Sequence, residues 1–434
     1  MPSRLSSSDS LATLILCWAS LVAAGGCEST PSGPSHSGDP LTEAPTAARP
    51  SPSRLALAID RTRARLYSDP RATSNASAMR STDAFLSALI ESAWRMSHAA
   101  RYLETPRFAS SKGIVGLPGL FNPDNLYRSA LLEPSGVYRI SGTRGSHERF
   151  TLQLLDAYPL VGLSKGLMVI DFDELGVEPG DAFEVRLGGP EPHADTEMWW
   201  PMPEDAQAVL ARQTFNDWAT ETPSSIRIHR LDGSRDVPRG PDHADLAADF
   251  LDRITTLWAD HYLAQLERLP ENAFPTIRPS GEEAGGLGGQ QGVITRYRLD
   301  EEEALVVVVR ASDAAYQAIQ LGDQWFTTQN PVRYPSSSNR SQAIVDADGL
   351  LRFVISHRVP GVANWLATAG AEHGYIMIRW QGIRTPLGDA DQPRAVRVPL
   401  SEIDAHLPAD SVRMTPEERE EQLSKRAHLP VLKQ

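Results

Sequence analysis

The segment from Ser356 to Leu366 carries the residue types best suited to holding a polar ligand. It runs from the end of a predicted strand through a Pro-Gly turn and contains Arg358, Asn364 and Trp365. An arginine can hold an anionic or hydroxylated group while a tryptophan stacks on the ligand's flat face. We therefore predict a ligand-binding loop here. The alternative is that Trp365 fills the core and Arg358 pairs with a carboxylate.

Five further residues are assigned to this predicted site. They lie in polar or aromatic turns, or on the strand that follows the loop: His373, Arg379, Asn122, Asp124 and Trp325. Two alternatives stay open. The polar side chains of the turn at Asn122 can serve only to form hydrogen bonds with their own backbone, and Trp325 can pack between domains. The scattered histidines show no metal-binding spacing, so neither a metal ion nor a cofactor is predicted.

Three other patterns could serve catalysis. The sequence at 162–166 matches the G-x-S-x-G of serine hydrolases, but the apolar residues that follow favour a strand where that chemistry needs a helix. Acidic groups near Asp171 and at 301–303 could form a carboxylate pair, although adjacent acids on turns are usually solvated. A hydrolase with His357 or His373 as general base is therefore kept as an alternative to ligand binding.

The elements that must position these residues include both helices and strands. Apolar spacing predicts a helix over 55–67, a longer one capped by Ser81 or Thr82, one over 203–215, and the clearest over 242–269. Short apolar runs separated by Gly and Pro predict strands in the middle of the chain and about seven in the last third, one of them over 343–346. No internal repeat is apparent in the sequence.

The first residues resemble an export signal. An apolar stretch over 11–24 is too short to span a bilayer comfortably, and Ala24-Gly25-Gly26-Cys27 follows it. This resembles the bacterial lipobox, so we predict cleavage before Cys27 and a lipid on its thiol; an ordinary signal peptide is the alternative. Because Glu28 follows the cysteine, a Gram-negative host would place the protein at the outer membrane.

Composition limits the partners. The formal net charge of −13 over 434 residues argues against nucleic acid, because phosphate binding needs clustered Lys and Arg. The two cysteines, Cys17 and Cys27, leave no intramolecular disulfide once the signal peptide is removed. The predicted partners are the membrane, through lipidated Cys27, and a small-molecule or glycan ligand.

Several segments together resemble the bacterial family that carries the domain of unknown function 1214, which is often found with the domain of unknown function 1254. The similarity covers roughly 122–400. It is most specific in His357-Arg358-Val359-Pro360-Gly361-Val362-Ala363-Asn364-Trp365-Leu366, with Asn122–Arg128 and Tyr138–Gly142 adding to it. The resemblance implies a carboxy-terminal jelly roll packed on a mixed α/β part. It implies no established reaction, so it assigns no catalytic residue.

We therefore predict an α+β protein with N-terminal helices, a mixed α/β part and a C-terminal antiparallel β-sandwich of the jelly-roll type. The leading function is an envelope lipoprotein that binds a small or oligomeric ligand; the alternatives are an extracytoplasmic hydrolase and an envelope structural or assembly protein. The predicted segments are a signal peptide over 1–26, a Pro/Ser-rich disordered tether over 27–54, a helical segment over 55–110, an α/β domain over 111–276, a jelly roll over 277–405 and a charged tail over 406–434.

Overall fold

The fold is known from a computed structural model that describes residues 53–100, 103–110, 117–158, 164–192, 198–233, 242–280 and 286–426. The predicted signal peptide, the predicted lipidation residue Cys27 and nearly all of the tether lie outside these ranges. Within them, no helix is long and apolar enough to cross a membrane.

All helices except the last pack as a group on the sheets. The helices are α1 (Arg54–Tyr67), α2 (Ala76–Ala100), α3 (His243–Thr255), which continues through a π-helical turn (Thr256–Tyr262) into α4 (Leu263–Leu266), and α5 (Pro416–Arg426). The predicted helix over 55–67 is confirmed, and so is the long one over 242–269. Ser53 caps α1 by accepting a hydrogen bond from the amide of Ala56 at 3.2 Å.

The start of α2 corrects the predicted cap at Ser81 or Thr82. The helix begins at Ala76, and Asn75 is the residue whose side chain accepts from the amide of Ala78, at 2.8 Å. Thr82 lies nearly two turns inside, where its hydroxyl donates to the carbonyl of Ala78 at 2.8 Å. A Thr hydroxyl can bond backward within a helix as readily as it can cap one.

The strands form four sheets. They are β1 (Ala109–Ser110), β2 (Asn125–Leu131), β3 (Tyr138–Thr143), β4 (Arg149–Leu155), β5 (Gly166–Asp171), β6 (Ala182–Leu187), β7 (Met198–Trp200), β8 (Ala208–Thr214), β9 (Ser225–Arg230), β10 (Arg278–Pro279), β11 (Gln291–Arg298), β12 (Glu303–Arg310), β13 (Tyr316–Gly322), β14 (Ser337–Asn339), β15 (Leu350–Ser356), β16 (Trp365–Ala367), β17 (His373–Gln381) and β18 (Arg394–Pro399).

The strand order shows a repeat. One pair of sheets has the orders β1-β2-β8-β4-β5 and β7-β6-β3-β9, and the other has β10-β11-β17-β13-β14 and β16-β15-β12-β18. Adding nine to each label of the first pair gives the second pair. The pairing directions agree as well, including the parallel pairs β6–β7 and β15–β16. We call β1–β9 the first repeat and β10–β18 the second repeat.

The spacing along the chain is nearly constant between the repeats. Corresponding strands begin at Asn125 and Gln291, Tyr138 and Glu303, and Arg149 and Tyr316. No repeat was expected from the sequence, so this symmetry is a finding of the structure. It is visible in topology and register, whereas the residue types at corresponding positions mostly differ.

Each repeat buries a core between its own two sheets. In the first repeat this core is formed by residues such as Phe150, Phe172 and Phe183, and in the second by residues such as Phe353 and Trp380. A third core lies between the helices and the outer faces of both five-stranded sheets. The fold class is α+β, as predicted.

Two predicted elements are wrong. The segment predicted as a helix over 203–215 contains β8, the middle strand of its sheet, in which all seven residues are buried. Alternate side chains of this strand, Val209 and Ala211 among them, point into the core of the first repeat. Burial of the strand on both faces overrides the helix preference of Ala and Gln. The strand predicted over 343–346 is a loop, held through the backbone of Ile344 by the side chain of Asn364.

Candidate functional site

The structure distributes the eight predicted binding residues over several places. Trp365 is 8% exposed, and its indole Nε1 donates to the hydroxyl of Ser356 at 3.0 Å. The guanidinium of Arg419, a residue of α5, lies 5.4 Å from the centroid of the Trp365 ring. Trp365 therefore packs under the C-terminal segment and presents no free face for stacking, which corrects that predicted role.

The two polar residues of the same loop make structural contacts. Arg358 is exposed and pairs with Glu302. Asn364 donates to the carbonyl of Ile344 at 2.7 Å and accepts from its amide at 2.9 Å. Asn364 also lines a shallow groove with Arg352, whose guanidinium is already paired with two aspartates. The loop therefore does not form the predicted Arg-Asn-Trp grip.

Trp325 is a core residue. It is 1% exposed, its Nε1 donates to the hydroxyl of Thr82 at 2.9 Å, and its ring stacks on Phe85 at 5.2 Å. These contacts join the second repeat to α2, so packing between parts of the molecule is the correct alternative.

Asn122 and Asp124 form a buried polar cluster between the repeats. The hydroxyl of Tyr316 donates to the carboxylate of Asp124 at 2.6 Å and bonds with the amide group of Asn122. Trp218 and Asn339 donate to the same carboxylate at 2.8 and 3.2 Å. The structure thus places these two predicted residues together, and both are buried.

The contacts between the repeats are reciprocal, as in a two-fold symmetric dimer. Gln153 on β4 donates to the carbonyl of Gly286, which precedes β11, at 2.8 Å. Gln320, its counterpart on β13, donates to the carbonyl of Phe121, which precedes β2, at 2.9 Å. Arg379, another predicted residue, lies in this layer and donates to the carbonyl of Leu120 at 3.2 Å.

His373 lies in a different setting, in a shallow groove at the start of β17. We call it the His373 groove. Residues of three elements line it: Glu267 and Glu271 after α4, Arg296, Tyr297 and Arg298 on β11, and His373, Gly374 and Tyr375 on β17. A side chain at position 374 would collide with the carbonyl oxygen of Gly322, 2.1 Å from the Cβ position, so only glycine allows this approach of β17 to β13.

The charges of the His373 groove are coupled. The carboxylate of Glu267 forms ion pairs with Arg71 and Arg296, each at 3.1 Å, and accepts a hydrogen bond from the hydroxyl of Tyr375 at 3.3 Å. Burial and the charge of Arg298 lower the pKa of His373, while burial and then Glu267 raise the pKa of Tyr375. At neutral pH the groove therefore presents a neutral imidazole and a neutral phenol between guanidinium groups.

The other histidine proposed as a base is engaged on both sides. The Nδ1 atom of His357 lies 2.8 Å from the hydroxyl of Thr368, and its Nε2 atom lies 3.0 Å from the carbonyl of Leu299. One tautomer satisfies both contacts, with Nε2 donating and Nδ1 accepting. This arrangement fixes the loop and leaves no lone pair for a substrate.

The serine and carboxylate patterns serve structure. Ser164 is buried and precedes β5, where a nucleophile would have to follow a strand and begin a helix. Asp171 pairs with Arg149, and Asp173 pairs with Arg144 at 2.9 Å. Across the described part of the chain, no three His, Cys, Asp or Glu residues are placed to hold a metal ion.

Sequence reasoning missed most of the His373 groove. Glu267 sits at the end of a helix and Arg296 on an alternating strand, where a charged residue is normally solvated. The available signal was the alternation of the strand at 375–381, which puts Tyr375 on the face opposite Ile376. Glu267 could be brought to that face only by the tertiary structure.

Comparisons with known proteins give information on the fold but none on the function. Neither a protein-family profile nor a curated protein matches the chain. A crystal structure of an uncharacterised protein from Burkholderia cenocepacia matches with a TM-score of 0.70 and 26% identity, covering 80% of this chain and 96% of that one. A protein from Vibrio parahaemolyticus matches with a TM-score of 0.43 and 12% identity, covering 79% of this chain and 100% of that one.

Proposed function

We propose that this chain is a lipid-anchored cell-envelope protein that binds a small ligand in the His373 groove. The observation that carries the proposal is the convergence of His373, Tyr375 and Arg296 in one concave surface. Concave sites with a few convergent polar groups and shifted pKa values are the usual form of ligand sites.

The size and charge of the groove define the ligand class. The groove is shallow and has room for little more than one water-sized group, so a single polar group or one end of an oligomer would fill it. The two arginines that line it, Arg296 and Arg298, are balanced by two glutamates, Glu267 and Glu271, with which they pair. A hydroxylated group therefore suits it, with the neutral imidazole of His373 donating or accepting a hydrogen bond.

The placement in the envelope rests on the lipobox-like sequence before Cys27. The predicted tether ends where α1 begins, and there Arg54 pairs with Asp249 at 2.6 Å, in the second turn of α3. At that end of the helices Trp94 is 42% exposed and lies beside the stacked rings of His98 and His243. Tryptophan favours the membrane–water interface, so this end suits a surface that faces the lipid.

We also propose that the chain belongs to the family with the domain of unknown function 1214 and that its second repeat is a jelly roll. The motif at 357–366 supports the first proposal. Two mainly antiparallel sheets that share one core support the second.

Binding is tested by thermal unfolding of the mature chain with a panel of small carboxylates, phosphates and sugars. We expect at least one compound to raise the Tm of the wild type and to have no effect on His373→Ala. His229→Ala is the matched control, because that histidine is exposed on β9, outside the groove. An equal Tm rise in His373→Ala, or no rise with any compound, would contradict the proposal.

The envelope placement has its own test. Mass spectrometry of the mature amino terminus is expected to find an acylated Cys27, and Cys27→Ser is expected to abolish membrane fractionation. An unprocessed start, or a mature end without acyl chains, would contradict the anchoring and leave the groove proposal unaffected.

A second candidate function is acid–base catalysis in the same groove. The lowered pKa of His373 keeps its imidazole neutral and able to accept a proton. A hydrolase that uses this base would lose activity on small ester or glycoside substrates in His373→Ala. Unchanged hydrolysis in that variant would eliminate this candidate.

A further inference from the structure

Arg71 lies behind the His373 groove, on the connection between α1 and α2. It is not one of the residues that line the groove, but its Nη1 atom lies 3.1 Å from Oε1 of Glu267, which does line it. Asp69 accepts from the other two nitrogen atoms of the guanidinium, from Nε at 2.9 Å and from Nη2 at 2.6 Å. The guanidinium also lies 5.2 Å from the centroid of the Trp325 ring. Arg71 is therefore fixed in one orientation, with Nη1 directed at Glu267.

Glu267 is the point at which three elements meet. Its side chain is 41% exposed at the end of a helix, where a glutamate has several rotamers to choose from. Its Oε1 atom accepts from Arg71 and from the hydroxyl of Tyr375, while its Oε2 atom lies 3.1 Å from Nη1 of Arg296. These partners belong to the α1–α2 connection, to β17 and to β11. Arg71 is the one among them that lies outside the groove, so it can act on the groove only through the groups that it holds or through its charge.

The titration of His373 is sensitive to these contacts. Burial and the charge of Arg298 lower the pKa of His373, Glu267 raises it, Arg71 lowers it and Glu372 raises it. A carboxylate favours the charged imidazole less when an arginine neutralises it. The pKa of His373 therefore reports where Glu267 lies and how well Arg71 neutralises it.

We propose that Arg71 is a positioning residue of the His373 groove, which holds the carboxylate of Glu267 in place against Tyr375 and Arg296. The inference rests on the ligand-binding function proposed above. Because Arg71 closely follows α1, it also makes the shape of the groove depend on how the first helix after the predicted tether is docked, although no residue of α1 lines the groove.

The first test follows the His373 ring by NMR during a pH titration of the ligand-free mature chain, with the signal assigned by its absence in His373→Ala. Arg71→Gln should raise the pKa of His373, because the variant removes a cation and leaves Glu267 less neutralised. Glu267→Gln should lower it. If Arg71 acts through Glu267, adding Arg71→Gln to Glu267→Gln should produce a much smaller shift than in the wild-type background.

The matched control is Arg61→Gln, since Arg61 forms the same kind of ion pair between α1 and α3, with Asp252 at 2.6 Å. It should leave the titration of His373 unchanged, and Arg71→Lys, which keeps a cation beside Glu267, should restore most of the wild-type titration. The absence of a shift in Arg71→Gln, a shift of full size in the Glu267→Gln background, or an equal shift in Arg61→Gln would overturn the proposal.

The second test is a crystal structure of the Arg71→Gln variant. We expect the carboxylate of Glu267 to turn away, so that its oxygen atoms lie beyond hydrogen-bond distance of the Tyr375 hydroxyl. An unchanged hydrogen bond between Glu267 and Tyr375 in the variant would overturn the proposal. Neither test uses a ligand, so a failure of the groove to bind any compound would contradict the proposed function and leave the role of Arg71 to be decided by these two measurements.

Discussion

The two repeats solve the same packing problem with exchanged residues. In the first repeat, Phe150 on β4 lies opposite Gln213 on β8; in the second, Gln317 on β13 lies opposite Trp380 on β17. Each pair thus combines one buried aromatic ring with one buried glutamine, but the strands that supply them are swapped. The space between the sheets fixes the combined volume of the two side chains more strongly than the residue type at either position. A repeated topology can therefore leave little trace in the sequence.

The outer faces of the repeats differ much more. On the first repeat the outward residues of the four-stranded sheet are polar, with Arg139, Arg227 and His229 among them. On the second repeat the corresponding face is apolar, with Val306 and Val398 in a core that the C-terminal segment covers. A shared inner architecture therefore supports one open polar face and one covered apolar face.

The largest effect should come from emptying the two matched cores. We expect Trp380→Ala and Phe150→Ala each to lower the free energy of unfolding by about 3–5 kcal/mol, because both leave a cavity that the rigid sheets cannot close. Urea unfolding followed by circular dichroism measures both values. A loss below about 1 kcal/mol in only one variant would break the equivalence of the cores.

The next effect tests the cover on the second repeat. Arg419→Ala removes hydrogen bonds of 2.8 and 2.9 Å to the carbonyls of Val362 and Ala363, and also the cation over Trp365. We expect a loss of about 1.5–3 kcal/mol in the same urea assay. The matched control on the same helix is Lys425→Ala, an exposed residue that should show no measurable change. Equal behaviour of the two variants would mean that α5 does not hold the cover in place.

The pH effect of a buried histidine at the start of β4 should have no counterpart at the matching position of the second repeat. Burial, and then the charge of Arg144, lower the pKa of His147 to about 3, whereas the corresponding position of the second repeat is occupied by Ala314. The unfolded chain therefore binds a proton near pH 6.5 that the folded chain refuses until about pH 3. The free energy of unfolding is therefore highest above about pH 6.5. As the pH falls from about 6.5 toward 3, His147 lowers it by about 1.4 kcal/mol per pH unit.

The measurement compares urea unfolding at pH 7 and pH 5 for the wild type and His147→Gln. The variant should lose less stability than the wild type over this interval, since a glutamine cannot take up the proton. An identical loss in both proteins would assign the acid sensitivity to other groups.

The smallest effect concerns the open face. We expect His229→Ala to change the free energy of unfolding by less than about 0.5 kcal/mol, because that side chain is exposed. A larger loss would show that this face of the first repeat is packed against something, as its counterpart on the second repeat is.

Much of the secondary structure was predictable because it follows from local periodicity. The helix over 242–269 and the strand containing Ile376, Ile378 and Trp380 were both correctly predicted from the spacing of apolar residues. The strand β8 was not, because an uninterrupted buried run carries no alternation and Ala and Gln favour a helix. Only pairing with β2 and β4, more than fifty residues away along the chain, decides its state.

The predicted site failed for a related reason. Residue type identified Trp365 and Trp325 as able to stack on a ligand, but their exposure depends on what covers them, and α5 and α2 do so from distant parts of the chain. The Asn122–Asp124 turn and Arg379 were predicted to bind a ligand, yet their side chains are buried inside the molecule. His373 and Asn364 each line an open groove, and Glu267 joins His373 only through the tertiary fold.

The most direct test of the proposed binding site is diffraction from crystals of the mature chain soaked with the compound that gives a His373-dependent rise in Tm. The account predicts ligand density within hydrogen-bond distance of both His373 and Arg296. Density located only in the groove beside Asn364 and Arg352, with the His373 groove filled by solvent, would contradict it.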